Sequence, residues 1–392
     1  MSPPPPLAVM VVLGTRPEAI KLAPVVRGLA ESPHFDPYVA LTAQHREMVD
    51  QVLDLFAIRP RHDLDIIRPG QTLAAVVTRA LSGVAGLIAA ARPDAVVVQG
   101  DTSTTFAGAL AAFYAGVPVV HVEAGLRTGD VRSPFPEEAN RRLTTQVTDL
   151  HLAPTATNRA NLEAEGVDPA RVVTTGNTGI DALLWAVRQP SGYGDPALAY
   201  LADDPRRVLV VTAHRRESWG PSMEAIGRAL AELARAEPDV VVVFPIHRNP
   251  VVRQAILPAV EGLANVRVVE PLDYGSFAVL LRRATILLTD SGGIQEEGPT
   301  LGKPVLVMRD TTERPEAVDA GTVRLVGTDQ AAIVGAVRQL LHDPAAYAAM
   351  ARAVNPYGDG RAAERTVAAM AHFFGRGPAA EEFHAGPRPA NR

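Results

Sequence analysis

The chain has 392 residues and a net charge of −5, with an isoelectric point near 6.1, so it carries no basic footprint for nucleic acid and is too long for a single core; two domains are expected. Cysteine is absent, which excludes disulfides, thiol catalysis and cysteine-bound metal. Apolar residues make up 47% and charged residues 21%, the balance of an ordinary water-soluble globular protein.

Residues 1–6 hold four prolines and read as a flexible lead-in. Leu7 to Leu13 is an unbroken apolar run, the mark of a strand covered on both faces of a parallel sheet. Gly14-Thr15-Arg16-Pro17-Glu18 follows, and a helical pattern continues through Leu22, Val25, Val26 and Leu29. This strand-helix turn lacks the G-x-G-x-x-G spacing of dinucleotide binding. Arg16 and Lys21 could meet a phosphate there, or could be two solvated cations.

The next strand is expected over Tyr38 to Thr42, with a helix opening after Gln44-His45-Arg46-Glu47. Leu73 to Ala90 is a long helical pattern. The core strand Ala95 to Val98 leads into Gln99-Gly100-Asp101-Thr102, and Val117 to Val120 leads into His121-Val122-Glu123-Ala124-Gly125-Leu126-Arg127. Polar residues that repeatedly follow strands mark the crevice where open α/β sheets bind ligands. Read alone, Asp101 could cap a helix, Glu123 could pair with Arg127, and Glu137 and Glu138 could be first-turn acids answering a helix dipole. His121 and His151 fall within or beside strands and read as core.

Gln189 to Pro205, rich in Pro, Gly and Asp, is the expected linker. Beyond it the pattern restarts. Val208 to Thr212 ends at His214-Arg215-Arg216-Glu217, and Val240 to Pro245 ends at His247. The organising stretch is Ala284 to Leu288 followed by Thr289-Asp290-Ser291-Gly292-Gly293-Ile294-Gln295-Glu296-Glu297. It reads as a buried strand, a tight turn and a helix start, with Ser291 as cap and with Gly292 and Gly293 allowing close approach and positive φ. Free N–H groups and the helix dipole favour an anion there, while Glu296 and Glu297 suit sugar hydroxyls. A diphosphate-linked sugar satisfies both ends. After Gly375 no periodicity remains, and residues 376–392 read as flexible.

This alternation implies an α/β fold of two doubly wound Rossmann-like domains facing a cleft, spanning residues 7–188 and 206–356. No unbroken apolar run reaches the ~18 to 20 residues of a membrane span, and no secretion signal is evident. A cytoplasmic protein with no membrane partner is therefore expected. No metal is expected either, since no H-E-x-x-H or similar spacing occurs.

Taken together, Gly14 to Lys21, Thr42 to Met48, Gly100-Asp101-Thr102, His121 to Thr128, Pro136 to Arg141, His214 to Glu217, Asp290 to Glu297 and Arg309 to Ala317 resemble one family. It is the family of non-hydrolysing UDP-N-acetylglucosamine 2-epimerases, and the similarity spreads from about residue 9 to residue 365. The resemblance implies the two-domain architecture of nucleotide-sugar glycosyltransferases (GT-B-like), a final helix near 357–374 that rejoins the first domain, a homodimer and no organic cofactor. It implies UDP-N-acetylglucosamine, UDP-N-acetylmannosamine and UDP as ligands. By resemblance Asp101, Glu123 and Glu137 match catalytic acids and His214 an active-site histidine. Arg16, Lys21, Phe277, Ser291, Gly292, Gly293, Glu297 and Arg314 match substrate contacts. Gln44, His45, Arg215 and His247 fall on segments tied in some relatives to a second, activating UDP-N-acetylglucosamine. Where many relatives carry histidine this chain has Gln99, next to the Gly-Asp-Thr segment, which bears on the tuning of Asp101.

The implied reaction explains these residue types. The C2 proton of the sugar is not acidic, so UDP is expelled from C1 first, C1 gains oxocarbenium character, and loss of the C2 proton gives a glycal. Re-addition of UDP completes the inversion. Carboxylates serve proton transfer and charge stabilisation, and cations with a helix start hold UDP. A glycosyltransferase, a hydrolysing epimerase and a non-catalytic sensor are the alternatives, and the trio of acids disfavours the first and last.

Overall fold

The computed structural model describes residues 4–42, 46–68 and 70–386. The chain divides into two compact units: the first runs to Leu184 and takes up Tyr357–His384, and the second is Trp185–Pro356.

The first unit is built on β1 (Leu7–Leu13), β2 (Phe35–Leu41), β3 (His62–Asp63), β4 (Ala95–Gln99), β5 (Val119–Val122), β6 (Leu150–Ala153) and β7 (Val172–Thr174). They form one parallel sheet in the order β3-β2-β1-β4-β5-β6-β7. Its helices are α1 (Arg16–Glu31), α2 (Arg46–Leu55), α3 (Leu73–Ala91), α4 (Ser103–Tyr114), α5 (Glu137–Gln146), α6 (Ala156–Ala164) and α7 (Thr178–Ala186). Val9 to Val12 and Val96 to Val98 are fully buried, as a sheet covered on both faces requires. β5 starts two residues later than the apolar run, after Pro118, and so takes His121 and Val122 into the strand.

The second unit repeats the plan with β8 (Arg207–Thr212), β9 (Val240–Pro245), β10 (Val266–Val269), β11 (Ile286–Thr289), β12 (Val305–Val307) and β13 (Val323–Leu325), ordered β10-β9-β8-β11-β12-β13 and all parallel. Its helices are α8 (Pro221–Ala236), α9 (Pro250–Val260), α10 (Tyr274–Arg283), α11 (Gly292–Thr300), α12 (Pro315–Asp319), α13 (Gln330–His342) and α14 (Pro344–Ala351). α15 (Ala362–Phe373) returns to the first unit and packs on α1. Strand order reverses between β1 and β4 in one unit and between β8 and β11 in the other, the two positions where doubly wound sheets bind ligands.

Two expectations are corrected. The expected linker is partly packed: Leu198 and Leu201, one turn apart, are fully buried, and Arg283 donates from Nε to the Leu201 carbonyl at 3.0 Å. The tail from residue 376 is anchored before it ends. Glu382 meets Arg159 at 2.9 Å, Phe383 N–H donates to the Thr174 carbonyl of the edge strand β7 at 2.7 Å, and the Phe383 ring is buried under the Arg365 guanidinium. Separately, α3 is a 19-residue helix long and apolar enough to cross a membrane by length and composition alone, although Thr78, Arg79 and Ser82 interrupt its apolar run. Val76, Ala80, Val84 and Ile88 face the protein, and the remaining surface of α3 is largely exposed.

Candidate active site

In the first unit the turn after β1 is organised by Glu18, a residue the motif contained without a role. Thr15 and Glu18 form a capping box at the start of α1. The fully buried Glu18 carboxylate accepts from the N–H groups of Gly14 (2.9 Å) and Thr15 (2.7 Å) and from the hydroxyls of Thr102 (2.6 Å) and Thr105 (3.0 Å). Burial raises its pKa, and the bonds from Thr102, Gly14 and Thr15 oppose the rise. It thereby ties the Arg16 loop to the Asp101 loop. A Cβ on Gly14 would lie 2.1 Å from the Thr42 hydroxyl, so no larger residue fits.

Thr102, not Asp101, caps α4. That leaves Asp101 for other work, and it meets Arg141 through Nε (2.9 Å) and Nη2 (2.7 Å), while Asn140 donates to its carbonyl at 2.9 Å. Arg141 was not foreseen as a site residue; its partner lies 40 positions away. Glu123 does not pair with Arg127, which binds Glu165 at 2.7 Å. Instead Lys21 Nζ lies 2.6 Å from both Glu123 oxygens, and Gln99 donates its amide to Oε2. Gln99 thus addresses Glu123 rather than Asp101, correcting that expectation. Glu123 sits at φ 63°, a left-handed conformation that costs a non-glycine residue energy and concentrates at functional sites. Behind it, His121 meets the Gly100 carbonyl at 2.7 Å, and burial draws its pKa down to about 4.

Glu137 is the first residue of α5, half-buried and without a hydrogen-bond or ion partner among the described residues. Its neighbour Glu138 is fully buried, bound to Arg141 and Arg142 at 3.1 Å each, and accepts from Thr128 N–H. One turn of α5 therefore supplies a structural acid and a free one.

In the second unit Asp290 directly follows β11 and is fully buried. It accepts the backbone N–H groups of His214 (2.6 Å) and Arg215 (2.7 Å), and its Oδ1 lies 2.8 Å from His214 Nδ1. Burial would raise Asp290, but these partners outweigh it and hold its pKa below the usual carboxylate value. Ser291 occupies the N-cap of α11, yet its hydroxyl makes no cap bond. Gly292 and Gly293 are helical rather than positive in φ. Gly292 is needed for another reason: a Cβ there would come within 2.6 Å of the Arg314 guanidinium. Arg314 is held by Glu296 at 2.7 Å, so Glu296 positions the arginine instead of facing a sugar. Glu297 and Phe277 are half-buried; Phe277 is the residue left partly open on the first turns of α10. His247 stacks on His214 with centroids 5.9 Å apart. Gln44 and His45 lie outside the described residues. Among the described residues, no three His, Asp or Glu side chains are grouped to hold a metal ion.

Two parallel α/β units, each gathering polar side chains at its topological switch point, define a two-domain doubly wound protein. The profile of the UDP-N-acetylglucosamine 2-epimerases matches residues 27–371, and the chain belongs to that family. It is 53% identical over 370 residues to the UDP-N-acetylglucosamine 2-epimerase of Escherichia coli K12, covering 93% of this chain and 98% of that protein. The Neisseria meningitidis UDP-GlcNAc 2-epimerase solved with UDP-GlcNAc superposes with a TM-score of 0.84 at 45% identity, covering 93% of this chain and all of that one. The Methanocaldococcus jannaschii enzyme, solved with UDP-GlcNAc and UDP, gives 0.76 at 31% identity over 93% of this chain and all of that one.

Proposed function

We propose that the protein reversibly inverts C2 of UDP-N-acetylglucosamine to give UDP-N-acetylmannosamine, by expelling UDP from C1, passing through a glycal and adding UDP back. The observation that carries this reading is the contrast among the acids. Asp101 and Glu123 are each locked to a cation, while Glu137 has no partner among the described residues. A carboxylate fixed by a cation is held in place to stabilise an oxocarbenium ion or to accept the C2 proton, and one without such a partner is open to meet the substrate as an acid or a base. The α11 start with Ser291, Gly292 and Gly293, together with Arg16, His214 and Arg314, supplies cations and donors for UDP, Glu297 a sugar contact and Phe277 a face for uracil. Lys21 acts first as the partner of Glu123. Arg215 and His247 are proposed for a second nucleotide sugar, and the product is proposed to feed a cell-surface polysaccharide in the cytoplasm of a bacterium.

Proton NMR of the protein with UDP-N-acetylglucosamine alone in deuterated water tests the reaction. Deuterium should enter C2 of both nucleotide sugars without an acceptor. Stoichiometric free UDP and free sugar would instead assign the hydrolysing reaction, and unchanged substrate would point to a transferase or a sensor.

We also propose that the exposed apolar side of α3, with Leu73 at 46% exposure, is covered by the same helix of a second copy. Ala85→Arg with Ala89→Arg should turn a dimer into a monomer in sedimentation; an unchanged mass would remove α3 from the interface.

A further inference from the structure

We infer that Asp290 is the positioning residue that sets which nitrogen of His214 meets the leaving UDP, an inference that rests on His214 standing in the active site proposed above. The argument starts from one buried oxygen. Asp290 is fully buried, and its Oδ2 is satisfied by two backbone N–H groups. Its Oδ1 makes no hydrogen bond to any described residue, and His214 Nδ1 lies 2.8 Å away, within reach to donate one. A buried carboxylate oxygen without a donor is costly. The cost disappears only when Nδ1 carries a proton, so Nδ1 stays protonated in both charge states of the ring. Nε2 is then the nitrogen that gains and loses a proton.

His247 is arranged the opposite way. Its Nδ1 accepts the Asn249 N–H at 3.1 Å, which engages that lone pair and leaves the ring neutral with its proton on Nε2. The two rings stack at 5.9 Å with 26° between their planes. The charged groups acting on the pair are Asp290 and Arg253; burial, His214 and Arg253 oppose a charge on His247, and only Asp290 favours one. The Nδ1 lone pair of His247 is engaged, so the ring of the pair placed to carry a proton on both nitrogens is His214. When the C1–O bond to UDP breaks, its electron pair goes to a β-phosphate oxygen, and the Nε2–H of charged His214 donates to that oxygen. The C2 proton goes to a carboxylate. On return a carboxylate gives a proton to C2 on the other face of the glycal, the same phosphate oxygen attacks C1 and the hydrogen bond relaxes. Asp290 keeps Nδ1 out of this exchange, as a buried aspartate does for a catalytic histidine elsewhere.

The test is ring ¹⁵N NMR of the full-length protein labelled in histidine, at a pH where the rings are neutral, with signals assigned by His214→Gln and His247→Gln. His214 should show its proton on Nδ1 and His247 on Nε2. In Asp290→Asn the amide keeps its oxygen for the two backbone donors and turns its NH₂ toward Nδ1. The proton of His214 should then move to Nε2, and turnover should fall about 10²-fold or more, the loss expected from a wrong tautomer. UDP affinity should change only a few-fold, because neutral Nε2–H still donates to phosphate. A parent protein with the His214 proton on Nε2 would overturn the inference, and so would an Asp290→Asn protein that keeps both tautomer and turnover. Should that variant not fold, the parent tautomer decides. Parent-like turnover in His214→Gln, with the tautomer as expected, would sink the catalytic reading of His214 and leave Asp290 as a fold residue.

Discussion

In the first unit the loops after β1, β4 and β5 bring carboxylates to the switch point and match them with cations: Asp101 with Arg141, Glu123 with Lys21, and Glu138 with Arg141 and Arg142. In the second, the loops after β8 and β11 bring one buried carboxylate, Asp290, which faces backbone N–H groups and a histidine. Arg314 is parked on Glu296 beside an uncapped helix start. The same topology thus carries two electrostatic designs. One suits a substrate that develops positive charge, and the other suits a dianion. Topology locates a site in such sheets, whereas the residues one or two positions past each strand decide its sign.

The largest expected effect separates the acids. Asp101→Asn, Glu123→Gln and Glu137→Gln should each lower turnover by ~10²- to 10⁴-fold, the scale of acid–base groups, with smaller changes in substrate binding. Near-parent turnover in any one removes it from the set. The next effect concerns stability and again belongs to the first unit. His121 and His151 face each other on β5 and β6, and burial draws their pKa values down to about 4 and about 3. The unfolded chain takes up these protons first, so the stability from neutral His121 is present above pH 6.5 and is lost as pH falls toward 4. The loss for His121 is on the order of 3 kcal/mol. Hydrogen exchange, corrected for intrinsic rate, should show β4 to β6 opening more readily at pH 5 than at pH 7 while β8 to β11 changes less. Equal changes in both sheets would contradict this assignment.

Apolar runs are enough to name most of the strands, because sheets covered on both faces demand them, and the polar residues at their ends mark the site. Partners are another matter. Arg141 reaches Asp101 across 40 positions, and Glu382 reaches Arg159 across 223, and no local pattern encodes such a pairing. Gln99 illustrates the limit best. It precedes Asp101 in the chain, but as the last residue of β4 its side chain addresses β5's neighbour Glu123. The role of Gly292 was also hidden, since it depends on an arginine 22 positions later that only the fold brings close.

A smaller effect tells the proposed roles of the two units apart. Arg314→Ala should weaken UDP by about 1.5 to 3 kcal/mol, one charge-assisted hydrogen bond, and should let UDP and glycal escape. Glu137→Gln should leave UDP affinity almost unchanged, because UDP lacks the sugar. Calorimetric titration of both variants checks the division, and the reverse ranking would exchange the proposed roles of the two sites.

The smallest expected effect is the most local. Gln99 and Lys21 both hold Glu123, and Lys21 contacts both of its oxygens, so loss of the amide alone leaves the carboxylate paired and only less well fixed. Gln99→Met keeps the length and removes the donor. About 0.5 to 1.5 kcal/mol is then at stake, a loss in turnover of roughly 2- to 12-fold. Lys21→Met should cost more, since it strands the charge of a carboxylate whose side chain is 14% exposed. A double-mutant cycle tells the neighbours apart. Gln99→Met should lose most of its effect in a Glu123→Gln background and keep it in Asp101→Asn. The opposite pattern would return Gln99 to Asp101, the neighbour its place in the chain suggests.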